Sequence, residues 1–288
     1  MQVTTFEAER FSFARILSFP RDLVRNGFVI SSLVRRELKG RYLNSTLGAL
    51  WSVVNPLFMI IVYTTVFAVI LGVRWEAAGK EIADNPTTFA MMLFCAMTPW
   101  LAFQESLTRG SGIILENSNL IKKVAFPSEA LPIYVVAYTL VNELIGVAIF
   151  MIALPILGFD IHVTWLWYPL VVAIRLLFTL GMTYIVATAN VFVRDVGQMI
   201  GLVTTLWMFL TPIFYAREML ENSGAEWVQT GMRFNPWYYI VTMYRDIFIR
   251  GVNPDPMAVV TIVGIGLITF VIGYTFFMTS KMKFADEI

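Results

Sequence analysis

Cysteine and histidine are nearly absent, since Cys95 and His162 are the sole examples of each. One cysteine excludes an internal disulfide and a multi-cysteine metal site, and one histidine leaves little for metal or triad chemistry. Both read as structural residues. Charge is also scarce: charged residues make up 14% of the chain, against about 25% in an ordinary soluble domain. Apolar residues reach 58% of 288, and mean hydropathy is +0.70. So few charges could not cover so much apolar surface in a soluble fold, which excludes a soluble enzyme. A net charge of +1 excludes a generally basic nucleic-acid binder. There is no G-x-x-x-x-G-K-[ST] phosphate loop, G-x-S-x-G elbow, H-E-x-x-H helix or catalytic carboxylate pair. The chain therefore carries no catalytic residue and no metal site, and its composition is that of a membrane protein.

A helix needs about 20 mostly apolar residues to cross a hydrocarbon layer about 30 Å thick. Runs with no more than one charge supply six candidates, at about 50–71, 89–104, 132–157, 165–189, 196–215 and 257–280. The expected fold is an all-α polytopic membrane protein with six transmembrane helices. Residues 1–48 form an N-terminal region, 49–280 the transmembrane domain, and 281–288 a short polar tail. The apolar segment 234–244 is too short to cross and contains Asn235-Pro236. It reads as a re-entrant or interfacial helix between spans five and six.

An even number of spans puts both termini on one side. Lys and Arg decide which side that is. Eight cations precede span one, and the loops after spans two and four and the tail bring that side to fourteen. The other side has six: Arg74, Lys80, Arg217, Arg233, Arg245 and Arg250. Both termini are therefore expected in the cytoplasm. The charged N-terminus lacks the apolar core of a signal peptide, so no cleavage is expected.

Residues 20–44 have the pattern of an amphipathic interface helix, with Leu23, Ile30, Val34 and Leu38 on one face and Arg21, Arg25, Arg36 and Lys39 opposite. It suits either a topology anchor or a docking site for an anionic lipid-linked substrate. Gly197-x-x-x-Gly201 offers a place where span five could closely approach another helix.

Five strings occur in order: Gly40-Arg41-Tyr42-Leu43-Asn44 running on to Trp51 and Asn55-Pro56; Asn117-Ser118-Asn119-Leu120-Ile121-Lys122-Lys123-Val124-Ala125-Phe126-Pro127; Ala189-Asn190-Val191-Phe192-Val193-Arg194-Asp195; Thr211-Pro212-Ile213-Phe214-Tyr215; and Asn235-Pro236. Together they resemble the permease subunits of ABC exporters for O-antigen polysaccharide and teichoic acid, in the ABC-2 type transporter family. The resemblance runs from about Arg36 to Arg250. It implies a homodimer of permeases in the bacterial cytoplasmic (inner) membrane, served by two separate ABC ATPase subunits. The implied substrate is a glycan, capsular polymer or polyol phosphate on undecaprenyl diphosphate. The chain itself would carry no cofactor, with ATP and magnesium on the partner.

The resemblance also implies roles for particular residues. The ATPase-coupling contact maps to Asn117, Asn119, Leu120, Ile121, Lys122, Lys123 and Phe126, with a second contact at Arg194-Asp195. The competing readings are an ordinary solvated loop and a helix-end charge pair. Arg35, Arg36, Lys39 and Arg41 lie where a lipid diphosphate would sit. A polymer longer than the membrane is thick needs a continuous channel, and sugars present C–H faces that pack on aromatic rings. Trp51, Phe58, Tyr63 and Phe67 in span one, and Trp207, Phe209, Phe214 and Tyr215 in span five, are candidates to line it or to face lipid. Asn235, Trp237, Tyr238 and Tyr239 suit an extracellular gate or an interfacial anchor.

Two charges fall within spans, Glu143 and Arg175. A lone charge at the bilayer centre costs at least about 2.5–3.5 kcal/mol, so each needs a partner. Spans three and four share a short loop, and an ion pair between them is expected. The alternative is that one faces the translocation path. Rival readings of the whole chain are an ABC-2 exporter of a drug or small lipid, a membrane enzyme on lipid-linked sugars, and a motorless channel.

Overall fold

In the computed structural model, residues 16, 18–43, 50, 54, 57–58, 61–70, 72, 86–122, 126–215 and 226–288 are described, and no strand occurs among them. The helices are α1 (Phe19–Arg25), α2 (Gly27–Leu43), α3 (Ile61–Ile70), α4 (Pro86–Glu116), α5 (Ser118–Ile121), α6 (Ala130–Ile156), α7 (Tyr168–Phe192), α8 (Asp195–Phe209), α9 (Glu226–Arg233), α10 (Pro236–Arg245), α11 (Pro256–Ser280) and α12 (Phe284–Glu287). Several starts are written locally. Asn235 and Asp255 accept hydrogen bonds from the backbone N–H groups of Trp237 and Met257, each with proline at the first helical position. A π-helical turn, Asp246–Arg250, extends α10 and stops at Gly251, whose φ of +65° suits glycine.

Four helices are long and apolar enough to cross a membrane: α4, α6, α7 with its 3₁₀ lead-in Val163–Trp167, and α11 with the turns after it. The chain is a multi-pass membrane protein. Four of the six expected spans fall on these helices, and the stretches expected at 50–71 and 196–215 hold, among the described residues, only the shorter helices α3 and α8. Span one is described only in part, with α3 its longest stretch. Span five is helical for 15 residues, about 22 Å at 1.5 Å per residue, and continues as a turn over 210–215. Pro212 has no N–H to extend the ladder, and it disfavours helical backbone at Thr211. Span two is longer than expected, because α4 runs for 31 residues and carries Glu105 and Arg109 on its last turns rather than on a loop.

The bundle has two ends. The last turns of α4, α7 and α11 gather with the first turns of α6 and α8 at the basal end. The start of α4, the lead-in to α7 and residues 246–255 gather at the distal end. The tightest crossing joins α7 to α11. A methyl group added at Gly273 would collide with the Gly181 carbonyl, and one added at Gly181 would meet backbone of Thr269 and Phe270. At Gly201 an added methyl group would meet nothing, and Gly197 sits against the Asn190 side chain. The close approach within the protomer is thus made by Gly181 and Gly273, while Gly201 on α8 faces open space.

Two expectations about the chain ends change. The N-terminal segment is two helices broken at Asn26, and α2 packs on α6. Its buried residues are Asn26, Ile30 and Leu33, whereas Leu23 is exposed. On α2 the expected face is the packed one, with Ile30 buried and Val34 and Leu38 half-buried beside Leu33, and only Leu23, before the break, departs from it. The segment 281–288 is more than a polar tail, because Phe284 is fully buried in the basal core and Ile288 packs against the same cluster.

Gly181→Ala and Gly273→Ala are each expected to destabilise the fold by about 1–3 kcal/mol, read as a lower melting temperature of the detergent-solubilised protein. Gly201→Ala should melt like the parent. Equal melting of all three would mean that the α7–α11 crossing accepts added volume.

Candidate functional site

The basal end presents the expected contact loop. Asn117 donates its side-chain amide to the Ile113 carbonyl at 2.9 Å, tying the loop to the end of α4. On α5, Asn119 is exposed, as is Lys122 just after it, while Leu120 and Ile121 are half-buried. Ile121 and Phe126 pack inward against the basal core. They are already engaged within the protomer, and the exposed residues of the loop, Asn119 and Lys122, are polar. Lys123 lies outside the described residues. Arg194 and Asp195 are exposed on the turn between α7 and α8.

The basic residues Arg35, Arg36 and Lys39 are exposed along α2, and Arg41 belongs to that helix with its side chain outside the described set. Helix α2 is fastened to the bundle by a contact the sequence does not reveal. Arg109 of α4 pairs with Glu37 at 2.7 Å and lies 4.7 Å above the Tyr138 ring.

The aromatic candidates separate into two groups. Phe214 is buried and stacks on Phe67 at 5.2 Å and on Phe209 at 5.2 Å, with Tyr63 edge-on at 5.1 Å. Trp207 belongs to an internal cluster with Trp100, Phe103, Phe178 and Trp237. Phe214 and Trp237 thus fill core, which corrects their expected exposure to a pore or gate. Their rings find enough apolar neighbours inside the protomer. Phe58 and Phe209 are exposed, Tyr215 is half-buried, and Trp51 lies outside the described residues.

Segment 235–250 is deeply inserted. Trp237 packs on Phe103, whereas Arg245 reaches Met92, eleven residues nearer the distal end of α4. Asn235 is a clamp rather than a surface group. Its carbonyl oxygen accepts from the Trp207 indole at 3.0 Å, and its amide donates to the Thr211 hydroxyl at 3.0 Å and the Leu210 carbonyl at 3.3 Å. Tyr238 and Tyr239 stay half-buried, with their rings 5.3 Å apart.

Glu143 and Arg175 form an ion pair between α6 and α7, both side chains fully buried. Tyr244 donates its hydroxyl to the other Glu143 oxygen at 2.6 Å, so the pair also fixes α10. Arg245 was the residue the charge count misplaced among loop cations. It is buried, and its guanidinium donates to the carbonyls of Met92 at 3.3 Å, Pro212 at 2.5 Å and Ile213 at 2.8 Å. A visible signal was available: Arg245-Asp246 interrupts an otherwise apolar run from Trp237 to Ile249. Asn190 was also missed as a functional side chain. It donates to the Ser111 carbonyl at 2.9 Å and accepts from the Gly197 N–H at 2.7 Å, holding α4, α7 and α8 together at the basal end.

Residues 29–249 match the family described as ABC-2 type transporter. The chain is 30% identical over 275 residues to the O-antigen export system permease protein RfbA of Myxococcus xanthus, covering 93% of this chain and 98% of that protein. It is also 30% identical over 265 residues to an O-antigen export system permease protein RfbA of Klebsiella pneumoniae, covering 90% and 96%.

Glu143→Gln and Arg175→Gln alone are each expected to cost about 3–5 kcal/mol, because one buried charge loses its partner. The double change should recover at least half of that loss. Arg245→Gln should be comparably damaging, since it withdraws the donors of three backbone carbonyls. Thermal unfolding and abundance in membranes measure all four variants. Normal abundance of Glu143→Gln with altered transport would instead place that carboxylate on a translocation path.

Proposed function

The chain belongs to the ABC-2 type transporter family, and from that premise we propose that it is the membrane subunit of an exporter for a lipid-linked polysaccharide. The observation that carries the reading is the match, over nine-tenths of the chain, to permeases named for O-antigen export. In this reading two copies cross the bacterial cytoplasmic membrane with both sets of termini inside, six crossings each, and the basal end faces the cytoplasm. The fourteen cations assigned to that side in the sequence favour this orientation. ATP is hydrolysed on a separate ATPase subunit, consistent with the lack of a phosphate loop in this chain.

The parts divide the work by location. Asn119 and Lys122, with Arg194 and Asp195, receive the ATPase. Arg35, Arg36 and Lys39 face the inner head-group layer, where guanidinium groups can grip a diphosphate through paired hydrogen bonds. The second permease copy covers the face of α8 on which Leu202, Leu206 and Phe209 stand exposed, with Gly201 leaving room for close approach. The polymer then passes along the seam. Deleting the gene should remove the surface polysaccharide and leave undecaprenyl-linked polymer inside the cell. Undiminished surface polymer would refute the assignment, and loss of drug resistance alone would favour the small-molecule exporter.

The double substitution Asn119→Glu and Lys122→Glu is expected to weaken ATPase association by about 2 kcal/mol or more, roughly thirtyfold, while the permease folds normally. Co-purification of the two subunits measures it, and unchanged recovery would reject the loop as the docking surface. Separately, Arg36→Ala with Lys39→Ala should lower export at normal permease abundance and normal ATPase binding. A matching fall in abundance would show that these cations serve topology instead.

A further inference from the structure

The short helix at the centre of the basal contact cannot hold its own position. Helix α5 has four residues, far below the length at which an isolated helix is even marginal in water. Its N-cap Asn117 makes no side-chain cap to it; that amide is spent on the Ile113 carbonyl. The placement of Asn119 and Lys122 must come from what packs behind them.

What packs behind them is the segment that follows α11. Helix α12 touches both α5 and α7. Phe284, fully buried, sets its ring edge-on to Phe277 at 5.2 Å and 6.4 Å from Phe192. Phe192 stands two residues before Arg194. Ile121, Phe126 and Ile288 pack on the same cluster. On the far side of the contact loop, Lys281 bonds the Glu129 carboxylate at 2.5 Å, and the Tyr184 hydroxyl of α7 donates to the Glu129 carbonyl at 3.0 Å. One segment thus reaches the short helix, the loop's return into α6, and the α7–α8 turn.

We propose that residues 281–288 are a brace for coupling, with Phe284 as a positioning residue that holds the two ATPase-contact surfaces at a fixed separation. The proposal rests on the coupling reading of α5 given above. Its physical content is stiffness. A close-packed core transmits displacement, so a push on Asn119 and Lys122 moves α4, α6 and α7 together. Without the buried ring, the four-residue helix yields and the push is dissipated at the loop.

The test uses the assembled permease–ATPase complex. Phe284→Ala and the milder Lys281→Ala are compared with the volume-conserving Phe284→Leu, and polymer exported per ATP hydrolysed is measured alongside subunit co-purification. The brace predicts retained co-purification and retained hydrolysis, with export per ATP falling by about twofold to thirtyfold, the range in which residues remote from both sites alter coupling. Phe284→Leu should restore most of the ratio. An unchanged ratio in both Phe284→Ala and Lys281→Ala overturns the brace, and so does a loss of export that merely tracks abundance. Asn119→Cys, cross-linked to the ATPase in an otherwise unchanged chain, separates the two ideas. No cross-link there overturns the coupling reading itself, whereas an efficient cross-link beside an unchanged ratio overturns the brace alone.

Discussion

In hydrocarbon every backbone N–H and C=O must find a partner inside the protein. Continuous helices meet that demand by themselves, but this chain breaks its helices at 193–194, 210–215, 235 and 246–250, and at each break side chains take over. Asn190 serves the first, accepting from Gly197 while donating to α4. Asn235 and Arg245 serve the second, giving donors to the carbonyls of Leu210, Pro212 and Ile213, and the Asn235 side-chain oxygen serves the third, accepting from the Trp237 N–H. Thr164 and Trp165 serve the fourth, donating to the carbonyls of Ile247 and Phe248 at 2.6 and 3.2 Å. The path of the chain between α8 and α11 depends on these few donors.

The buried ion pair belongs to the same arrangement. Glu143 and Arg175 join α6 to α7, and Tyr244 brings α10 onto the pair. Neither charge could remain in a nonpolar setting alone. Smaller groups do similar work along the bundle: the Ser106 and Thr139 hydroxyls meet at 2.6 Å between α4 and α6, and other buried threonines bond carbonyls four residues back in their own helices. Apolar packing alone distinguishes weakly between one helix neighbour and another when lipid is just as apolar. Directional polar contacts and the Gly181–Gly273 crossing supply the discrimination, and they fix the bundle from which the basal contact loop projects.

This construction separates a frame of packed helices from the surfaces it carries. The frame is α4, α6, α7 and α11, with its aromatic cluster around Trp100, Phe103 and Trp237. The exposed Asn119, Lys122, Arg194 and Asp195 lie at one end of it, and the inserted segment 235–250 lies at the other. Both are joined to the frame by buried side chains.

Much of this protein was legible from sequence because hydropathy is a one-dimensional property. Runs with at most one charge marked six spans, four of which are long apolar helices, Asn235-Pro236 marked a short inserted segment, and the motifs from Arg36 to Arg250 marked the family. The need of Glu143 and Arg175 for partners also followed from the cost of a lone charge in lipid. What could not be read was which neighbour each side chain meets. Phe214 reads as channel lining and Trp237 as part of a gate, yet both fill the interior, Arg245 resembled a loop cation but closes a broken backbone, and Phe284 sat in a polar tail but anchors the basal core. Neighbours are set when segments far apart in sequence, 153 residues for Arg245 and Met92, close around the same backbone groups. Pattern along the chain dictates what must be buried, and only the packed bundle decides against what.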